Sequence, residues 1–151
     1  MTNMTMTIGI DPGKKGGIAI LYPNGDVVAE KWTSEDEMVD VLEDVMRFDP
    51  AAQITAYLEL VHAMPGQGVT SMFSFGKNFG FWIGAVMALR IPLRTVRPQE
   101  WQKGVAGRQG LKGTPLKRVL KAEAARRFPQ VRVTNMTADA LLIADYGRGQ
   151  P

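Results

Sequence analysis

The chain has 151 residues, of which 45% are hydrophobic and 22% charged, with no cysteine and a formal net charge of +3. That length suits a single domain, 1–151, burying roughly two-thirds of its unfolded surface, and the missing thiols exclude a disulfide frame or a thiolate metal site. No stretch approaches the roughly 18 apolar residues of a membrane span, and Met1-Thr-Asn-Met-Thr lacks the charged-then-apolar order of a signal peptide, so a cytoplasmic protein is expected.

Met6–Ile10 is an apolar run of strand length that meets Asp11, after which Pro12 and Gly13 end the strand and turn the chain. A carboxylate at the tip of a buried strand is disfavoured by several kcal/mol unless a cation accompanies it. An ordinary turn aspartate before proline is the plainer alternative. Gly16-Gly17 opens a second strand, Ile18–Tyr22, and Asn24-Gly25 signals a hairpin into a third, Val27–Trp32. Three antiparallel strands in succession make a meander.

Ser34-Glu-Asp-Glu37 is a capping box, followed by Met38, Val41, Leu42 and Val45 at helical spacing up to Asp49-Pro50. This helix reads as structural. Ile54–Val61 is a fourth strand whose Glu59 repeats the oddity of Asp11 near its C-terminal end. If those two strands are adjacent and parallel, both acids lie at the same sheet edge. After a 62–68 loop, a long helix is expected over Thr70–Arg90, with Gly76, Gly80 and Gly84 along one side. Each costs about 1 kcal/mol relative to alanine. Close approach to another backbone would offset that, either the sheet or a symmetry-related helix.

Leu93–Val96 is a fifth strand. Lys103–Gly113, with four glycines and the basic residues Lys103, Arg108 and Lys112, reads as a mobile loop able to lie against phosphates. Thr114-Pro115 opens a basic helix to Phe128, on which Lys117 and Lys121 share a face. The last helix starts at Asn135 or Thr137 and runs to Tyr146, carrying Asp139 and Asp145. Charge is spread unevenly: Arg90–Arg132 holds twelve Lys/Arg and two acids, while the remainder holds six against thirteen. A basic segment on an acidic domain points to a polyanion, nucleic acid first, with a solvated face as the plainer reading.

Asp11, Glu59 and Asp139 make a hard-oxygen set suited to Mg²⁺ or Mn²⁺. Two such ions roughly 3.5–4 Å apart assist phosphodiester hydrolysis. The segments Ile-Gly-Ile-Asp11-Pro-Gly, Leu-Glu59-Leu-Val-His-Ala-Met-Pro-Gly-Gln-Gly and Ala-Asp139-Ala-Leu-Leu-Ile-Ala resemble the RuvC-like Holliday junction resolvases, particularly their phage-borne members. The resemblance covers nearly the whole chain. It implies an α/β, RNase H-like fold: a mixed five-stranded sheet, three antiparallel strands then parallel strands, flanked by helices. It also implies a homodimer that resolves four-way and branched DNA as a crossover junction endodeoxyribonuclease, with two divalent ions per site. For a phage-encoded member the compartment would be the bacterial host cytoplasm.

By that resemblance Asp11, Glu59 and Asp139 bind the metals. A fourth ligand, Asp or His, normally precedes the last by about one turn; here that position is Asn135, which offers an oxygen but no charge. Either the fourth ligand is weaker here or an acid has been replaced, which puts cutting by this chain in question. Lys117 best matches the family's lysine at the scissile phosphate, with Lys121 second. His62 stands where related enzymes place a base-stacking side chain, a plain loop histidine being the alternative. Lys14 and Lys15 suit phosphate contact, as do Lys103, Arg108, Lys112 and Arg118, though surface exposure alone explains such residues equally. Asp145 reads as a capping or surface acid. Two other functions remain: a junction-binding protein of the same fold that cuts poorly, and an actin-like or sugar-kinase-type ATPase fragment. The ATPase reading needs two such domains and leaves the basic segment unexplained.

Overall fold

The computed structural model describes residues 4–62 and 65–151; Ala63 and Met64 of the 62–68 loop and the first three residues, read above for a signal peptide, lie outside them. In chain order the elements are β1 (Thr5–Asp11), β2 (Gly17–Leu21), β3 (Val27–Lys31), α1 (Glu35–Phe48), β4 (Gln53–Glu59), α2 (Val69–Ala88), β5 (Leu93–Val96), α3 (Pro98–Gln102), α4 (Gly113–Arg127) and α5 (Ala138–Arg148). The strands form one sheet in the order β3-β2-β1-β4-β5. β1 and β3 each pair antiparallel with β2, whereas β1, β4 and β5 run parallel. This is the mixed RNase H-like sheet expected.

Local chemistry accounts for the boundaries. At the β2–β3 hairpin Gly25 takes φ of 93°, and the Asn24 side chain accepts from the Asp26 backbone N–H at 2.9 Å. Ser34 caps α1 by accepting from the Glu37 N–H at 3.2 Å.

Strand alternation divides the sheet between two cores. Met6, Ile8, Ile10, Ile18, Ile20 and Leu58 point toward α1 and α2, where Met38, Leu42, Val45, Trp82 and Val86 meet them. Ala19, Leu21, Tyr57 and Val96 point the other way, toward Trp101, Leu120, Ala124 and the buried face of α5. The two helical layers differ in charge: α1 carries six acids and one arginine, α4 five basic residues and one acid.

The layer nearest the sheet is α5. A Cβ on Gly9 would strike the Ala140 carbonyl and the Ala144 amide, and one on Gly147 would overlap the Tyr57 ring. Helix and strand therefore touch backbone to backbone across β1.

The structure adds one element and narrows two readings. The stretch after β5 holds a short helix, α3, over Pro98–Gln102, which was assigned no element above, while the residues beyond it up to α4 form turns and loop. The start of α3 is locked by Pro98 and by Glu100, whose carboxylate accepts from the Arg97 N–H at 2.6 Å. The last helix begins at Ala138, leaving Asn135 in the preceding turn. The reason is the 134–137 turn, where the Thr134 carbonyl accepts from the N–H groups of both Thr137 and Ala138. Finally, Gly76, Gly80 and Gly84 do not bring α2 against the sheet, since a Cβ on any of them would meet open space. The stripe that α2 buries is Asn78, Trp82 and Val86 instead.

Substituting Gly9→Ala should force α5 off β1. An overpacked contact of this kind costs about 1–3 kcal/mol, so the variant is expected to melt roughly 3–10 °C below the parent in a thermal scan.

Candidate active site

Asp11 is the last residue of β1, and its side chain follows Thr7 and Gly9 onto the α5 side of the sheet. The turn beyond it folds back tightly. Gly13 has φ of +108°, the Gly16 N–H donates to the Gly13 carbonyl at 3.0 Å, and a Cβ on Gly16 would collide with the Asp11 carbonyl. From the other side of the sheet, the buried Asn78 of α2 accepts from the Gly13 N–H through Oδ1 at 2.7 Å.

Glu59 ends β4, the parallel neighbour of β1, in register with Val96. Tyr57 points to the α5 side, so Glu59 does too, beside Asp11. It is buried, and its Oε2 accepts from the indole Nε1–H of buried Trp101 at 2.6 Å. Asp139 lies in the first turn of α5, where the positive end of the helix dipole favours a carboxylate. The Gly9 contact carries that turn over the C-terminal end of β1.

The result is a cleft of about 690 Å³ lined by Asp11, Lys14, Lys15, Lys117, Asn135 and Asp139, with Gln67, Thr70, Ser71, Ser74 and Phe75 contributed by the 67–75 segment. Of the residues expected from sequence, six thus share one recess. Glu59 joins them electrostatically. His62 is exposed on the loop after β4, outside that lining. Lys103, Arg108, Lys112, Arg118 and Lys121 also lie outside it; Lys103, Lys112 and Arg118 are exposed, while the Arg108 Nε is buried with no hydrogen-bond partner among the described residues. Asp145 is tied up structurally by Arg127 at 3.0 Å and by Arg148.

The acids act on one another. Burial pushes the Asp11 carboxyl well above its usual range, and the charges of Asp139 and Glu59 push it further, while Lys117 opposes them. Burial raises Glu59 from 4.5 to about 7, with the Trp101 hydrogen bond opposing and Asp139 adding to the rise. Burial likewise raises Asp139 from 3.8 to about 6, against Lys117. Three carboxylates raised first by burial, two of them further by a neighbouring acid, make a recess short of positive charge, and hard oxygens of this kind suit a divalent cation. As they stand, no three Asp, Glu, His or Cys side chains among the described residues are gathered closely enough to hold one.

Trp101 and Asn78 escaped the sequence reading. Asn78 carried a usable signal, being a polar residue four before Trp82 on a helix face otherwise apolar. Trp101 carried none, because an indole packed in a core and one donating to a carboxylate look alike in sequence.

In comparisons with known proteins, no protein-family model and no curated protein matches the sequence. The fold does match. Thermus thermophilus RuvC in complex with Holliday junction substrate superposes with a TM-score of 0.59 at 16% identity, covering 94% of this chain and 91% of that one. A second Thermus thermophilus RuvC structure gives 0.56 at 19% identity, covering 93% and 92%. The chain has the RuvC-like resolvase fold. In that RuvC-like frame the cleft lies at the C-terminal ends of the adjacent parallel strands β1 and β4, beneath the start of the last helix.

The raised carboxyls give a signed pH dependence. The folded state holds these protons up to about pH 6–7, whereas the unfolded chain releases them near the ordinary 3.8 and 4.5. Folding stability of the metal-free protein is therefore expected to fall as pH rises through that window. Asp139→Asn should melt about 3–8 °C above the parent at pH 8 in EDTA, the gap closing toward pH 4, as thermal scans across pH will read.

Proposed function

We propose that the protein is a divalent-metal-dependent endodeoxyribonuclease that cuts four-way and other branched DNA as a homodimer. The observation that carries this reading is the recess itself: Asp11, Glu59 and Asp139 repel one another in partial burial while Lys14, Lys15 and Lys117 line or face the same cleft. Such a recess is incomplete without cations and attracts phosphate at its rim. The resemblance in sequence motifs and the RuvC-like fold point to the same chemistry, and the compared Thermus protein was solved with a Holliday junction.

In this reading Asp11, Glu59 and Asp139 hold the ions, with Asn135 as a neutral oxygen donor from the turn before α5. Divalent ions at such a site would supply an activated water and a counter-charge for phosphodiester hydrolysis. The remaining work falls to the chain's own groups. Lys117 reaches the cleft from α4 and is suited to stabilising charge that develops on phosphate oxygens. Lys14 and Lys15 are exposed on the turn beyond Asp11, where they can position the strand by its phosphates. Lys103, Arg108, Lys112, Arg118 and Lys121 extend the basic surface along the 103–113 loop and α4, for the arms of the junction. His62, exposed beyond β4, is suited to stacking on an unpaired base.

The open face of α2 supports pairing with a second copy. Val69 and Phe73 are largely exposed, Met72 is partly so, and the Gly76, Gly80 and Gly84 positions leave room for another backbone.

Nicking of a labelled four-way junction in Mg²⁺, with linear duplex as control, tests the reading. Selective cuts abolished by Asp11→Asn are expected. Tight junction binding without cuts would mark a binding protein of the same fold, and ATP turnover would mark an ATPase. Asn135→Asp restores a charge among the ligands and is expected to lower the metal concentration for half-maximal cutting by about tenfold.

Phosphate contacts are read separately from chemistry. Lys14→Ala and Lys15→Ala are each expected to reduce the dependence of log K on log salt by roughly one in junction-binding titrations.

A further inference from the structure

We propose that Trp101 is a positioning residue for the carboxylate of Glu59. The inference rests on the metal-site reading above and extends it to a residue that faces no substrate.

The indole Nε1–H donates to Glu59 Oε2 at 2.6 Å, and both residues are buried. Donor and acceptor are fixed by independent means. Glu59 is held by the β4–β5 ladder, in register with Val96, and the Leu60 N–H donates to the Val96 carbonyl at 2.8 Å. Trp101 is held by α3, whose first turn is locked by Pro98 and the Arg97–Glu100 capping box, and by packing in the core formed with Val105, Leu120 and α5. Four residues separate Val96 from Trp101, enough to turn the chain back over the end of β4.

A buried indole usually finds an acceptor, though the Trp82 N–H has none among the described residues, and a neutral backbone carbonyl would serve that need alone. Here the acceptor is instead the carboxylate of Glu59, which interacts electrostatically with Asp11 and Asp139 of the cleft. A bond from a rigid ring to one oxygen fixes the rotation of the carboxylate and commits part of its lone-pair capacity, so the opposite oxygen, Oε1, is the less encumbered ligand. Residues that orient a ligand in this way usually change metal affinity by 10- to 100-fold when removed. A merely structural tryptophan would change stability and leave metal affinity alone.

The test is calorimetric titration of the protein with Mn²⁺ alone, without DNA. Trp101→Phe keeps the ring and removes the N–H; it is expected to weaken Mn²⁺ binding about 10- to 100-fold, with four-way-junction binding in EDTA unchanged within about twofold. Equal Mn²⁺ affinity in parent and variant overturns the proposal while leaving the metal site standing. No Mn²⁺ binding by the parent overturns the metal-site reading and this proposal with it. Should the variant fail to fold, the parent's indole N–H resonances decide. The Trp101 signal is expected to be protected from solvent exchange and to shift on adding Mg²⁺, in a spectrum assigned by substituting Trp32 and Trp82 in turn. A Trp101 signal indifferent to Mg²⁺ overturns the proposal.

Discussion

Helix α5 lies directly on strand β1 because residue 9 has no side chain, and this backbone-to-backbone contact decides where Asp139 stands. The first turn of α5 comes to rest above the end of β1, within electrostatic reach of Asp11 and Glu59. Gly147 repeats the device against Tyr57 on β4. Two glycines distant in sequence thus set the height of one helix over two strands. In a packed interior that height cannot drift, because neighbouring side chains leave no slack to take up.

The same contact creates an electrostatic conflict. Parallel pairing of β1 with β4 sets two carboxylates side by side, and α5 adds a third. The helix dipole and Lys117 relieve part of the repulsion, and Trp101 relieves part of it at Glu59. The remainder is left unrelieved in the protein alone. Strain of this kind at a recess, with a well-packed core elsewhere, is the usual pattern where stability has been given up for binding.

Much of this was legible in the amino-acid sequence because its signals are local. Alternation, the Asn24-Gly25 turn and the Ser34 cap each act within a few residues, and the five strands and four long helices follow from them. The acids at Asp11, Glu59 and Asp139 stood out because apolar surroundings make a charge conspicuous. What stayed hidden depends on contacts across the fold. Helix α3 is five residues long, too short for periodicity to register. The true start of α5 is set by the Thr134 carbonyl taking two N–H donors, a choice the sequence does not advertise. The bonds from Trp101 to Glu59 and from Gly13 to Asn78 join residues 42 and 65 apart. For the glycines of α2 the spacing was legible, and of the two backbones that could approach them the structure removes the sheet, since the space beside them within one chain is open.

The opposite charges of the two helical layers have a consequence for how the molecule meets other molecules. With acidic α1 on one side of the sheet and basic α4 on the other, the protein is an electric dipole whose axis pierces the sheet. Beside a polyanion it experiences a torque before it makes any contact, turning α4 inward and α1 to the rear. That alignment acts over about 8 Å at physiological ionic strength, so it sorts encounters by orientation only in the final Debye length of approach and fades as salt is added.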